Sequence, residues 1–306
     1  MRIAFMGTPD FSVPCLRALI ERGRDVVGVF CQPDKPVGRK QILTPPPVKE
    51  LALQYGIRVL QPTTLRNGAG LALLKELEPE LVIVVAYGKI LPEDFLSYPK
   101  YGCVNVHASL LPKYRGASPI HWAILNGDSE TGVTTMQMDA GMDTGDMLET
   151  ERVPISPEDD AVSMFETLGH TAAEVMDRVF ADLETYIAHR VPQEETEATA
   201  APMLEKDDGD FTFDEDAASV FNRIRGTAIW PVARFYTGDR FVKVLGAKLR
   251  TDLAGVPGEV LCLKPLIVAA KNGALELLRV MPQNSKLMDG TAYAAGRRLK
   301  AGDSVL

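Results

Sequence analysis

Apolar residues in the first half of the chain recur as short runs that alternate with amphipathic stretches. Arg2-Ile-Ala-Phe-Met-Gly7 and Asp25-Val-Val-Gly-Val-Phe-Cys31 read as strands buried on both faces. Between them the turn Thr8-Pro9-Asp10 opens an apolar-periodic run to Ile20. Proline in a first helical turn, beside an aspartate, makes this a strand-turn-helix unit. Helix (about 48–55), strand (58–60), helix (71–77) and strand (81–86) continue the alternation. Strand Cys103-Val-Asn-Val-His107, a helix near 120–125, strands over 131–138 and up to about 155, and a long helical stretch over 161–189 complete it. Strands apolar on both faces, alternating with helices, predict an α/β fold: a doubly wound, mostly parallel sheet with helices on each side.

The pattern changes twice more. Residues 32–47 hold Pro33, Pro36, Gly38 and Pro45 to Pro47 and read as a long loop, and residues 190–206 are polar with no apolar period. The second of these is expected to be a linker between a first domain, 1–189, and a second, 207–306. Beyond it come a helix (about 216–225) and short strands with turn signals at Thr237-Gly238-Asp239 and Lys271-Asn272-Gly273. Asn-Gly is the stronger signal, because both central positions of a type I′ turn need φ > 0. Several short strands in so little chain predict a small β-barrel, OB-like in the first instance.

With 306 residues, 46% hydrophobic and 24% charged, the chain has the composition of an ordinary folded protein with two cores. Cys15, Cys31, Cys103 and Cys262 are scattered, with no C-x-x-C pair, so neither a disulfide framework nor a zinc knuckle is supported. A reducing, cytoplasmic setting is expected. No apolar run approaches the ~18 residues of a membrane span, and no cleavable signal pattern opens the chain. The formal net charge of -8 alone speaks against a polyanionic partner. The total conceals an asymmetry, since residues 217–306 hold 14 Lys and Arg against 6 Asp and Glu, a net of +8. Such a basic stretch within the second domain is the electrostatic footprint of a phosphate-rich partner.

An open α/β sheet binds ligands beyond the carboxyl ends of its strands. The first such loop, Gly7-Thr8-Pro9-Asp10, lacks the G-x-G-x-x-G spacing, so NAD is not expected and a nicotinamide dehydrogenase is disfavoured. In Cys103–His107 the period of two puts Asn105 and His107 on one face near the carboxyl end. An amide that donates to a developing oxyanion and an imidazole that moves a proton suit acyl transfer. The plainer reading is a histidine satisfied by neighbouring backbone. The turn Met138-Asp-Ala-Gly-Met-Asp-Thr-Gly-Asp146 carries three carboxylates. Asp139 and Asp146 read as turn chemistry, while Asp143, between Gly141 and Gly145, is the candidate partner for His107. The aspartate spacing does not fit a calcium loop, and no metal is expected.

Asn105-Val-His107, Ser109-Leu-Leu-Pro-Lys-Tyr-Arg-Gly-Ala-Ser-Pro119 and the Asp139–Asp146 turn together resemble the signature of the 10-formyltetrahydrofolate-dependent formyltransferases. Gly7-Thr-Pro-Asp-Phe11, Gln32-Pro-Asp-Lys-Pro-Val-Gly-Arg39, Val84-Val-Ala-Tyr-Gly-Lys-Ile-Leu-Pro92 and Trp230-Pro231 extend the resemblance over nearly the whole chain. The flanking motifs and the second domain are similar to those members whose acceptor is initiator methionyl-tRNA. The resemblance implies Asn105, His107 and Asp143 as the catalytic set. It implies Ser109, Leu110, Leu111 and Pro112, with the backbone around Tyr87, Gly88, Ile90 and Leu91, as folate-binding elements. It also implies a tRNA-facing loop over 32–47 with Arg39 as its key charge, aided by Lys35 and Lys40. The expected protein is a monomer, with 10-formyltetrahydrofolate as co-substrate and no membrane partner. A sugar-nucleotide N-formyltransferase is the alternative on the same catalytic domain. A glycinamide formyltransferase would need only the first domain, and a non-catalytic RNA-binding module would leave Asn105, His107 and Asp143 without purpose.

Overall fold

Seven strands share one sheet in the order Met147–Pro154, Glu130–Gln137, Cys103–His107, Leu81–Val85, Arg2–Gly7, Asp25–Phe30 and Val59–Leu60. The computed structural model describes residues 1–38 and 40–306 and divides into two units. The sheet belongs to the first, which comprises Met1–Pro119, Glu130–Pro154 and Phe165–Ala201. Its five strands from Cys103–His107 to Val59–Leu60 are mutually parallel, while Glu130–Gln137 and Met147–Pro154 add an antiparallel edge. The sheet is thus mixed but mostly parallel, as the alternating pattern implies.

The chain starts at Arg2–Gly7, winds outward through Asp25–Phe30 to Val59–Leu60, then returns to lay Leu81–Val85 on the other side of its first strand. That reversal opens a crevice at the carboxyl ends of Arg2–Gly7 and Leu81–Val85. Leu81–Val85 and Cys103–His107 are buried at every position, which is why they read as unbroken rather than alternating runs. The turn after the first strand is tight: a Cβ at Gly7 would collide with Phe5 and Ser12. Ser12 Oγ donates to the Val85 carbonyl at 2.6 Å, tying the start of helix Val13–Glu21 to the neighbouring strand. Gly7 therefore serves close packing.

Three segments depart from the sequence reading. The loop 32–47 contains a small hairpin, Lys35–Val37 against Ile42–Thr44, whose pairing tolerates prolines because it lies at no sheet centre. The helix expected over 161–189 breaks at Asp182 into Ala161–Ala181 and Leu183–Ala188. The segment 190–206 is not a free connection up to Ala201. Val191 bridges Met147, and Ala200–Ala201 pairs in parallel with Arg115–Gly116, all within the first unit.

The second unit comprises Ile120–Ser129, Ile155–Met164 and Pro202–Leu306. Its antiparallel sheet runs Arg234–Thr237, Arg240–Arg250, Gly273–Pro282, Leu266–Ala270 and Val260–Leu263, with Met288–Asp289 also paired to Gly273–Pro282. Gly238 takes φ 60 at the first central position of its hairpin, where a type II′ turn requires glycine. The second hairpin is offset from expectation: Ala270 pairs with Gly273, so Lys271 and Asn272 are central and only Asn272, φ 59, is left-handed of the two. The Lys271 amide donates to the Phe213 carbonyl at 3.0 Å and its own carbonyl accepts from Ala217 at 2.8 Å, which pins the turn one residue early.

Helix Ala217–Gly226 and helix Gly290–Arg297 complete the core around three rings. Phe235 is fully buried, with centroids 5.8 Å from Phe211 and 5.2 Å from Phe213. Truncating a fully buried aromatic loses both its transfer free energy and the contacts of its cavity. Phe235→Ala is therefore expected to destabilise the second unit by about 3–5 kcal/mol, measured as a shift in its urea unfolding midpoint.

Candidate active site

His107 lies at the carboxyl end of strand Cys103–His107 with its ring fixed by backbone. Its Nε2 lies 2.9 Å from the Tyr114 carbonyl. A carbonyl only accepts, so Nε2 carries the hydrogen and Nδ1 is the nitrogen left to take up a proton. Nδ1 faces Asp143 Oδ2 at 3.7 Å. Asn105, two residues earlier and so on the same face, donates from Nδ2 to Asp143 Oδ1 at 3.3 Å, and among the described residues nothing takes its second amide hydrogen. The Gly116 amide donates to Asp143 Oδ2 at 2.9 Å. Asn105 and His107 are both buried, and the Asp143 side chain is only 15% exposed. The structure thus brings Asn105, His107 and Asp143 into one cluster.

Asp143 reaches this cluster by an indirect route. The turn leaves the sheet beside Cys103, whose carbonyl accepts from Met138 at 2.8 Å, and folds back along the strand. Asp143 adopts a left-handed φ of 56. Asp139 Oδ1 accepts from the Gly141 amide at 3.0 Å and from Thr144 Oγ1 at 2.7 Å, which is turn chemistry. Asp146 accepts from Arg190 at 3.0 Å. Both therefore hold the loop, leaving Asp143 as the carboxylate directed inward.

The segment after His107 is equally tied down. Ser109 Oγ donates to the Lys113 carbonyl at 2.6 Å, and the Ser109 carbonyl accepts from Thr134 Oγ1 at 2.7 Å. Thr134 Oγ1 accepts in turn from the Leu111 amide at 3.2 Å. Leu111 and Pro112 are buried and Leu110 is half-buried, so this segment is a rigid wall whose polar groups are mostly internal. Tyr114 has φ 62; its amide donates to Thr199 Oγ1 at 2.9 Å, and the Thr199 carbonyl accepts from the Arg115 amide at 2.8 Å. Thr199 thus steadies the residue that receives the His107 proton donor. Periodicity gives no sign of it, since it lies in the polar stretch read as linker.

Of the other expected positions, the Tyr87 ring turns inward and packs with Phe30 and Phe95 in the core. Burial pushes its hydroxyl up to about 12, and the hydroxyl oxygen has no hydrogen-bond partner among the described residues. The backbone here faces outward, with left-handed φ values of 47 at Ala86 and 83 at Gly88. Ile90 is 72% exposed, whereas Leu91 is buried. The Tyr87 carbonyl accepts from Thr8 Oγ1 at 3.2 Å and Gln32 Nε2 at 3.0 Å, joining three strand ends across the crevice. Lys35 and Lys40 are exposed on the hairpin, beside exposed Val37, Ile42 and Leu43. Arg39 lies outside the described residues. The hairpin's base is held by Lys49, which donates to Asp34 and Gln61 at 2.8 Å each. Gln61 and Lys49 donate to the Asp34 carboxylate and hold it below the usual range. Among the described residues no group of three or more His, Cys, Asp or Glu is placed to hold a metal ion, and no helix is long and apolar enough to cross a membrane.

Comparison with known proteins fits this geometry. Residues 1–180 match the family described as formyl transferase, and residues 203–298 match the formyl transferase C-terminal domain. The chain is 42% identical over 304 residues to the methionyl-tRNA formyltransferase of Geobacter metallireducens, covering 99% of this chain and 97% of the relative. It is 45% identical over 305 residues to that of Caldanaerobacter subterraneus subsp. tengcongensis, covering 99% of each. In fold it is similar to the N-formyltransferase from Helicobacter canadensis, solved with folinic acid and dTDP-3-aminofucose. That match has a TM-score of 0.68 at 16% identity, over 94% of this chain and 99% of the other.

The loop carrying Asp143 has no room for a side chain at Gly145, where a Cβ would overlap the Gln137 carbonyl. Gly145→Ala is expected to displace the Asp143 turn and lower turnover at least tenfold with the protein still folded, as checked by steady-state kinetics beside a thermal melt.

Proposed function

The chain belongs to the formyl transferase family, among its methionyl-tRNA formyltransferases, and we propose on that basis how its own residues carry the reaction. The formyl group of 10-formyltetrahydrofolate passes to the α-amine of methionyl initiator tRNA. The observation that carries the mechanism is the convergence of Asn105, His107 and Asp143 at the carboxyl end of one strand.

The amine attacks the formyl carbon, and the carbonyl oxygen takes up the electron pair. Asn105 donates its second amide hydrogen to that oxygen while its first stays on Asp143, so the donor is oriented before charge develops. The His107 Nε2 hydrogen is committed to the Tyr114 carbonyl, so Nδ1 receives the proton leaving the amine. The resulting imidazolium faces the Asp143 carboxylate, which stabilises it and draws in from 3.7 Å. The C–N bond to the folate then breaks, and the relayed proton ends on the folate nitrogen. One N–C bond forms and one breaks, with no nucleophile supplied by the protein.

A folate suits the crevice on two counts. The exposed turn 86–90 offers peptide groups to a flat, hydrogen-bonding ring, and Ile90 offers an apolar contact. Residues 217–306 supply the charge for a polyanionic acceptor, with a net of +8. The sugar-nucleotide alternative rests on likeness of fold at 16–18% identity. Lys35 and Lys40, exposed on the hairpin, are read with Arg39 of the 32–47 stretch as the tRNA-facing cations of the first unit.

Acid-base groups of this kind contribute ~10²- to 10⁴-fold. His107→Ala is expected to lower kcat at least ~100-fold in a formyl-transfer assay with charged initiator tRNA, and a near-normal rate would remove His107 from the mechanism. In the same assay the KM for tRNA should rise steeply with salt while that for the folate stays nearly flat. Parallel salt dependence of both would exclude phosphate contacts as the source of tRNA affinity.

A further inference from the structure

Gln193 has no place in the chemistry just described, yet it lies directly against the Asp143 turn. Its Nε2 donates both hydrogens to that turn, one to the Asp143 carbonyl and one to the Gly145 carbonyl, each at 2.8 Å. Its Oε1 accepts from Arg115 Nε at 2.9 Å. Arg115 is held in turn by the two carboxylate oxygens of Glu195, at 3.1 and 2.9 Å. A guanidinium only donates and a carbonyl only accepts, so the Gln193 amide can sit only one way round. A non-glycine residue stays left-handed where its surroundings over-determine it, and the Gln193 amide grips Asp143 at its own carbonyl and again two residues on.

We infer that Gln193 is a positioning residue for formyl transfer, clamping the 143–145 turn so that the Asp143 carboxylate meets Asn105, His107 and the Gly116 amide together. The inference rests on the role given above to Asp143. Gln193 acts on the backbone of the turn that carries Asp143, so its loss falls on the chemical step. Arg115, within the 109–119 segment, keeps the amide facing the turn.

The test separates a donor from a packing residue. A displacement of about 1 Å in a catalytic group costs up to roughly 100-fold in rate, so Gln193→Ala is expected to lower kcat ~10- to 100-fold. Its KM values for folate and tRNA should stay within about twofold of wild type. Gln193→Glu keeps the shape and the Arg115 contact but turns both donations into contacts between oxygens, so it should be as slow as Gln193→Ala. Introduced into Asp143→Asn, Gln193→Ala should cost nothing further, because a residue acting through Asp143 has nothing left to position. Thermal melts accompany each variant, and Gln193→Glu, being isosteric, is the one expected to fold as wild type. Wild-type turnover by Gln193→Glu, or the same fold-loss from Gln193→Ala with and without Asp143→Asn, overturns the inference and leaves the role of Asp143 standing. Wild-type turnover by Asp143→Asn alone overturns both.

Discussion

A carboxylate held largely out of water must be met by donors, and the site in the first unit is arranged around that requirement at Asp143. Withdrawing an ionised group from solvent without partners costs several kcal/mol or more. Here the Gly116 amide and the Asn105 amide supply direct hydrogen bonds, and His107 stands beside them as a group able to become cationic. Each donor lies on a different stretch of chain, so satisfying one carboxylate draws together the end of a strand, the segment after it and a folded-back turn. The same convergence that stabilises the charge sets an amide donor and an imidazole side by side.

The parts of this arrangement that follow from periodicity were legible in the sequence. Asn105 and His107 share a face because a strand repeats every two residues, and the strand runs over the residues that its apolar pattern marks. Asp143 was legible by its flanking glycines, since a turn that doubles back needs positions without a Cβ. Gln193 and Thr199 were not legible. Their segment is held by single side-chain and backbone hydrogen bonds, which leave no apolar repeat, so a polar run reads as linker whether or not it is docked. The hairpin within 32–47 was hidden for a similar reason, because its prolines mask a short exposed ladder. At 271–273 the local Asn-Gly preference gave way to tertiary contacts with Phe213 and Ala217.

The second unit shows the complementary limit of sequence patterns. Its architecture, antiparallel strands around a three-phenylalanine centre, follows from short alternating segments and turn residues. Its charge is uneven along the chain, since the acidic residues of 120–129, 155–164 and 202–216 offset the +8 of residues 217–306 to a net of -2. A net of -8 for the whole describes neither part, and the basic +8 of residues 217–306 is the figure that bears on a phosphate-rich partner.

The docked stretch from Val191 to Ala201 has a consequence for how the protein comes into being. Asn105, His107 and Asp143 all precede it, so a chain still emerging from synthesis at residue 189 already carries the whole proposed catalytic set. It lacks the amide that grips the Asp143 turn and the threonine that steadies Tyr114. The strands of the sheet can pair by then, since all seven lie before Ala161. The side chains that fasten the Asp143 turn and Tyr114 are therefore translated after every strand of the seven-stranded sheet.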